Sequence, residues 1–145
     1  MSARGSETVH ATCVAIGGRG VLILGLSGSG KSDLALRLID RGARLVSDDY
    51  TLVTAKGGRL TGRAPPAIAG KMEVRGVGLV EMEAESDVPL CLLVDLDRVP
   101  ERLPEEGETV RIAGGKLPVI GLAAHEASAP IKVEYALRLL GRETA

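Results

Sequence analysis

Phenylalanine and tryptophan are absent, and only two tyrosines occur among the 145 residues. Aliphatic side chains must therefore build the core, and a stacking platform for single-stranded nucleic acid is excluded. A basic excess is missing as well: lysine and arginine total 18 against 19 aspartates and glutamates, a formal net charge of −1. That removes the electrostatic footprint of a general nucleic-acid binder. Apolar runs such as Val21-Leu22-Ile23-Leu24 fall far short of the roughly 20 residues that span a bilayer, so no membrane partner is expected. Cysteine is scarce. Cys13 and Cys91 each sit inside an apolar run, and the opening residues carry no secretory h-region, so buried free thiols in a reducing cytoplasm are expected. What the chain does have is glycine, 19 residues of 145, well above the average of about 7%. Tight turns or close backbone approach to a ligand follow from that. Hydrophobic residues at 45% and charged residues at 26% exclude a disordered chain, and the length suits one domain over residues 1–145.

Short β-prone runs alternate with glycine turns along the chain. Residues 8–16 and 20–24 read as a hairpin around Gly17-Gly18-Arg19-Gly20. Residues 32–41 place Leu34, Leu38 and Ile39 at helical spacing, end on Arg41 and are stopped by Gly42, which predicts a helix. Residues 44–47 form a short strand ending at Asp48-Asp49, and 50–54 continue it or pair with 58–60 across Lys56-Gly57. Residues 62–66 read as a loop, and 72–83 as two short strand-like pieces around Gly76 and Gly78. Leu90-Cys91-Leu92-Leu93-Val94 has the continuous apolar character of a strand buried on both faces. An exposed connection over 97–108, strands over 110–112 and 117–122, and a closing helix over 129–140 complete the reading.

Gly25-Leu26-Ser27-Gly28-Ser29-Gly30-Lys31-Ser32 satisfies G-x-x-x-x-G-K-[ST] between an apolar strand and a helix. Glycines let successive backbone N–H groups turn inward around phosphate oxygens, and the helix adds its positive end at the same point. In that arrangement Gly25, Ser27, Gly28, Ser29 and Gly30 line the phosphates. Lys31 reaches the β- and γ-phosphates and the Ser32 hydroxyl ligates Mg²⁺, so ATP and Mg²⁺ are the expected cofactors.

Such a loop needs a carboxylate at the end of a buried strand to help hold the metal. Asp48-Asp49 follows Leu45-Val46-Ser47, and Asp95 follows Leu92-Leu93-Val94. Paired carboxylates beside a cation can divide their roles, one holding the ion and one taking a proton. Spacing alone favours neither place; a turn-forming acidic pair and a strand-end aspartate are the plainer alternatives.

Taken in order, these motifs resemble the catalytic domain of bacterial HPr kinase/phosphorylase. His10 precedes the phosphate loop. Arg41-Gly42-Ala43-Arg44-Leu45-Val46-Ser47-Asp48-Asp49, Ala64-Pro65-Pro66 and Glu73-Val74-Arg75-Gly76-Val77-Gly78 follow it collinearly, so the likeness covers residues 10 to about 82. It favours the acidic pair over Asp95. The resemblance implies that Asp48 is the catalytic base toward a protein serine, that Asp49 lies near Mg²⁺, and that Glu73 is a further metal ligand. It places Arg75 near the transferring phosphate or the partner surface, and His10 close to the acidic pair. Two departures stand out. The N-terminal domain of full-length members has no counterpart here, which implies a form with the catalytic domain only. A P-G-R-N loop expected before the last helix is replaced by Ala123-Ala124-His125-Glu126-Ala127-Ser128-Ala129-Pro130. That loop's arginine is associated with the phosphorylase direction, so reverse phosphorolysis is expected to be weak, with His125 as the nearest substitute.

The resemblance thus implies an α/β fold with a P-loop core akin to phosphoenolpyruvate carboxykinase. It implies ATP-dependent serine phosphorylation of HPr, the phosphocarrier of the sugar phosphotransferase system, by a cytoplasmic enzyme assembled as a hexamer. Two rivals remain. One is a small-metabolite kinase in which Arg98 and Arg102 form a lid over phosphates. The other is a nucleotide-sensing module without turnover, against which the intact acidic pair argues, since binding alone needs no base.

Overall fold

In chain order the elements are β1 (Arg4–Val9), β2 (Ala11–Ile16), β3 (Arg19–Leu24), α1 (Lys31–Asp40), β4 (Arg44–Ser47), β5 (Thr51–Lys56) and β6 (Arg59–Arg63). A short 3-10 turn at Pro66–Ile68 leads to β7 (Lys71–Val74), β8 (Gly78–Glu81), β9 (Val88–Asp95), β10 (Thr109–Ile112), β11 (Gly115–Gly121) and α2 (Ala129–Leu140). The structure is a computed structural model describing residues 4–104 and 107–143; Glu105 and Glu106 of the expected 97–108 connection lie outside the described residues.

Three turns set the hairpins. Gly17-Gly18 (φ 58° and 82°), Gly57-Gly58 (59° and 80°) and Ala113-Gly114 (48° and 87°) each supply two successive positive φ values. That is what a two-residue type I′ turn requires. They join β2 to β3, β5 to β6 and β10 to β11, all antiparallel. The main sheet has nine strands, seven of them in the order β1-β5-β6-β9-β3-β2-β4. β9 is its axis. It pairs in parallel with β3 along one edge, and its other edge is shared between β6 at Val88-Pro89 and β11 at Leu93-Val94-Asp95. β7 and β8 form a separate two-stranded ribbon.

Central strands buried on both faces explain the unbroken apolar runs. Val21 and Ile23 of β3 pack with Leu34 and Leu38 of α1 and Val133 and Leu137 of α2, while Leu22 faces the second cluster with Cys13, Val53, Leu60 and Leu117. Both cysteines are free and buried, as expected. Leu34 and Leu38 are each fully buried, worth about 1.5–3 kcal/mol apiece. They fix the helix that carries Lys31 and Ser32.

Two expectations change. Residues 8–16 do not make one strand: the chain bends at His10, β1 pairs with β5, and β2 pairs with β3 and β4. The bend delivers His10 to Asp49. Residues 62–66 are not all loop either, since β6 runs on through Arg63. A Cβ at Gly62 would lie 3.0 Å from Leu90 Cδ2, so the glycine lets β6 close onto β9.

Candidate functional site

β3 ends at Leu24 and α1 opens at Lys31, leaving residues 25–30 to turn between them. The turn is held at both ends: Leu26 N donates to Asp97 Oδ2 at 2.9 Å, and Ser29 N donates to Leu26 O at 2.9 Å. Gly28 (φ 83°) and Gly30 (φ 99°) take backbone conformations that L side chains rarely adopt. Gly30 is the N-cap of α1 and offers no side-chain cap, so the first helical N–H groups are free to meet an anion. Lys31 is only 6% exposed. Its Nζ bridges the turn, donating to Gly25 O at 2.7 Å and Leu26 O at 3.3 Å. Ser29 Oγ is buried with no hydrogen-bond partner among the described residues.

A cavity of about 560 Å³ opens over this turn. Of the residues expected at the site, Ser27, Gly28, Gly30, Lys31, Ser32, Asp48, Asp49, Glu73 and Arg75 line it. Gly25 and Ser29 lie behind them in the turn. The strand β4 delivers the acidic pair, and its two members differ in setting. Asp48 is 8% exposed. Its Oδ1 accepts from Ser32 Oγ at 2.6 Å and Thr12 Oγ1 at 3.3 Å, and its Oδ2 accepts from Glu73 N at 3.2 Å. Asp49 stands outside, at φ 67°, with its side chain 55% exposed and Oδ1 2.8 Å from His10 Nε2. An ionised carboxylate can only accept, so Nε2–H is the donor. The His10 ring stacks on Tyr50 with centroids 5.0 Å apart, which holds the imidazole in place. Glu73 and Arg75 are exposed at the end of β7 beside the cavity.

Asp95 is elsewhere: its Oδ1 accepts from Asp97 N at 2.9 Å, and it does not line the cavity. Arg98 pairs with Glu108 at 2.5 Å, and neither Arg98 nor Arg102, the two arginines of the lid alternative, lines the cavity. Sequence reasoning missed Asp33, Leu36, Met72 and Val74 as lining residues. Their signal was available only in part, since Asp33 and Leu36 share the first turns of α1 with Lys31 and Ser32. His125 also lines the cavity. Arg37 donates to Ala124 O and Glu126 O on either side of it, so helix α1 itself anchors the 123–128 loop.

No three His, Cys, Asp or Glu side chains converge on a metal position among the described residues. Mg²⁺ keeps waters and takes one or two protein oxygens together with phosphates, and the oxygens of Ser32, Asp48, Asp49 and Glu73 at the cavity suit such a donor set.

The family model described as "HPr Serine kinase C-terminal domain" matches residues 3–136. HPr kinase/phosphorylase of Brevibacillus brevis is 36% identical, over 79% of this chain and 41% of that protein. The Streptococcus thermophilus protein of the same name is 39% identical, over 78% and 41%. The chain thus spans about two-fifths of the length of these curated relatives. The solved structure of the Hpr(Ser) kinase/phosphatase from Coxiella burnetii superposes with a TM-score of 0.76 at 30% identity, covering 91% of this chain and 94% of that one. The chain belongs to the HPr serine kinase C-terminal domain family, and its α/β fold is that domain's fold.

Proposed function

We propose that this chain is an ATP-dependent protein serine kinase domain acting on HPr. The observation that carries the reading is the Ser32 Oγ to Asp48 Oδ1 hydrogen bond of 2.6 Å at the floor of a cavity that also holds Lys31 and Asp49. Family membership and the likeness to HPr kinase/phosphorylases support the substrate. The turn at 25–30 is the phosphate loop of this proposal, and its core is of the phosphoenolpyruvate carboxykinase-like kind. Residues 1–145 act as one domain.

Bound ATP·Mg²⁺ supplies the phosphoryl group and the cation that neutralises its oxygens. The main-chain N–H groups of Gly28, Gly30 and Lys31 bind phosphate oxygens, while Ser29 N stays with Leu26 O and shapes the turn. Lys31 exchanges its two carbonyl partners for phosphate. The hydrogen bonds support a division of the acidic pair opposite to the one the family resemblance implied. Asp48 is buried, tied to Ser32 and backed by the Glu73 amide, so it belongs with Ser32 and Glu73 on the metal side. Asp49 is exposed to an incoming serine and is oriented by His10, so it accepts the serine proton. Arg75, exposed at the mouth, meets the partner or the transferring phosphate.

Labelled ATP with purified HPr tests this directly: transfer to HPr is expected, and hydrolysis or small-molecule labelling without HPr labelling would favour the metabolite kinase instead. Phosphorolysis of phosphoserine-HPr by inorganic phosphate is expected to be slow beside the forward reaction, because His125 occupies the loop where the family resemblance expects arginine. A hexamer in the cytoplasm remains the proposed assembly and place; light scattering reads the former. Among the described residues, no helix is long and apolar enough to cross a membrane.

A further inference from the structure

A second cavity, of about 430 Å³, shares no lining residue with the first. β3, β9 and β11 run in parallel. The 25–30 turn leaves the C-terminal end of β3, whereas this cavity is lined by the β10–β11 hairpin, by Gly58 of the Gly57-Gly58 turn and by Arg142. Strand alternation explains the chemistry of its wall. Val110, Ile112 and Leu117 pack against the core, while Thr109, Arg111, Lys116 and Pro118 face the cavity.

Arg111 lies directly opposite Lys116 in the antiparallel register. Like charges in that relation repel. Neither they nor Arg142, the third cation of the wall, is in an ion pair with a carboxylate among the described residues. Arg142 is firmly held. Its Nη1 donates to Gly58 O at 3.2 Å and Lys116 O at 3.3 Å, its main-chain N donates to Cys91 O at 2.8 Å, and its carbonyl accepts from Arg19 Nη2 at 2.6 Å. The described lining contains three cations, one hydroxyl and no carboxylate. Gly58 and Gly114, at φ 80° and 87°, put no side chain over it.

We propose that this cleft binds a small multivalent anion of the phosphate class, gripped by Arg111 and Lys116 against the fixed guanidinium of Arg142. An anion between the two opposed side chains turns their repulsion into two charge-assisted contacts, the strong kind of hydrogen bond. The site is separate from the phosphate loop and does not depend on it.

Pyrophosphate titrated into the ¹⁵N-labelled chain tests the proposal, with the amides of Gly58, Gly114 and Gly115 reporting this cleft and those of Gly28 and Gly30 reporting the phosphate loop. The cleft amides are expected to shift in the wild type and equally in Lys31→Ala. In the Arg111→Gln/Lys116→Gln chain their response should weaken about tenfold or more, from the loss of two charged donors, with the dispersion of the other amides unchanged. Cleft amides that stay still in the wild type, or that shift as readily in the double variant, would overturn it. Silence at Gly28 and Gly30 alone would count against the phosphate loop and leave the cleft standing.

Discussion

Ser32 Oγ donates to Asp48 Oδ1 across 2.6 Å, joining the first turn of α1 to the end of β4. The bond makes a hydroxyl and a buried carboxylate one unit, and it leaves Asp49 to a different partner, His10 at 2.8 Å. Two adjacent acids thus sit in two environments, one tied to the helix and one turned to solvent. Divergent environments of that kind are how a pair of like groups acquires distinct roles.

Lys31→Ala should fold normally and lose phosphoryl transfer. Among the described residues its ammonium hydrogen-bonds only Gly25 O and Leu26 O, within the turn, while the helix behind it is held by Leu34 and Leu38. A thermal midpoint near wild type with transfer to HPr reduced by orders of magnitude is the expected pair of results. Normal turnover would remove Lys31 from the mechanism.

Gly30→Ala should destabilise the domain by about 1–3 kcal/mol, the cost of holding an L residue in a sparsely populated backbone region. At φ 99° the new methyl would also lie 3.3 Å from Ala124 Cβ, crowding the loop that presents His125. Urea denaturation reads the loss, and weaker nucleotide binding should accompany it. A variant as stable as wild type would mean that the turn relaxes at no cost.

Much of this was legible locally. Gly17-Gly18 marked the first hairpin, apolar runs marked β3 and β9, and the strand–glycine turn–helix order marked the turn at Lys31, because each signal lies within a few residues. The turn at Gly57-Gly58 falls one residue beyond the Lys56-Gly57 expected as one of two alternatives, and the one at Ala113-Gly114 was not expected at all. The division between Asp48 and Asp49 was not legible. It depends on Ser32, Thr12 and His10, which stand 16, 36 and 39 residues away from their partners. The bend at His10 is hidden in the sequence for the same reason: Thr8 and Val9 are β-prone whether they pair with β3 or, as found, with Leu52 and Thr51 of β5. His125 could be placed on a loop from sequence, but its position at the cavity depends on the grip of Arg37 from α1.

Burial pushes the Cys13 thiol far above its ordinary pKa of 9.0. The folded state therefore keeps its proton at a pH where the unfolded state releases it. This contribution is fully present below the unfolded pKa and is lost as pH rises from there toward the folded value. Stability should fall as pH rises above roughly pH 9 because of this group, a dependence that Cys13→Ser should remove. Alkylation of the native protein at pH 8 should leave Cys13 unmodified; rapid labelling would contradict its enclosure.

The most direct measurement compares Asp49→Asn with Asp48→Asn in transfer from labelled ATP to HPr, alongside Mg²⁺-dependent nucleotide affinity. Loss of a general base typically costs about 10²–10⁴-fold in rate. Asp49→Asn should therefore lower kcat by that order with nucleotide affinity nearly unchanged, while Asp48→Asn should weaken Mg²⁺-dependent binding. The opposite pattern, Asp49→Asn turning over near the wild-type rate while Asp48→Asn keeps its affinity and loses kcat, would contradict the assignment of the base to the His10-bound carboxylate.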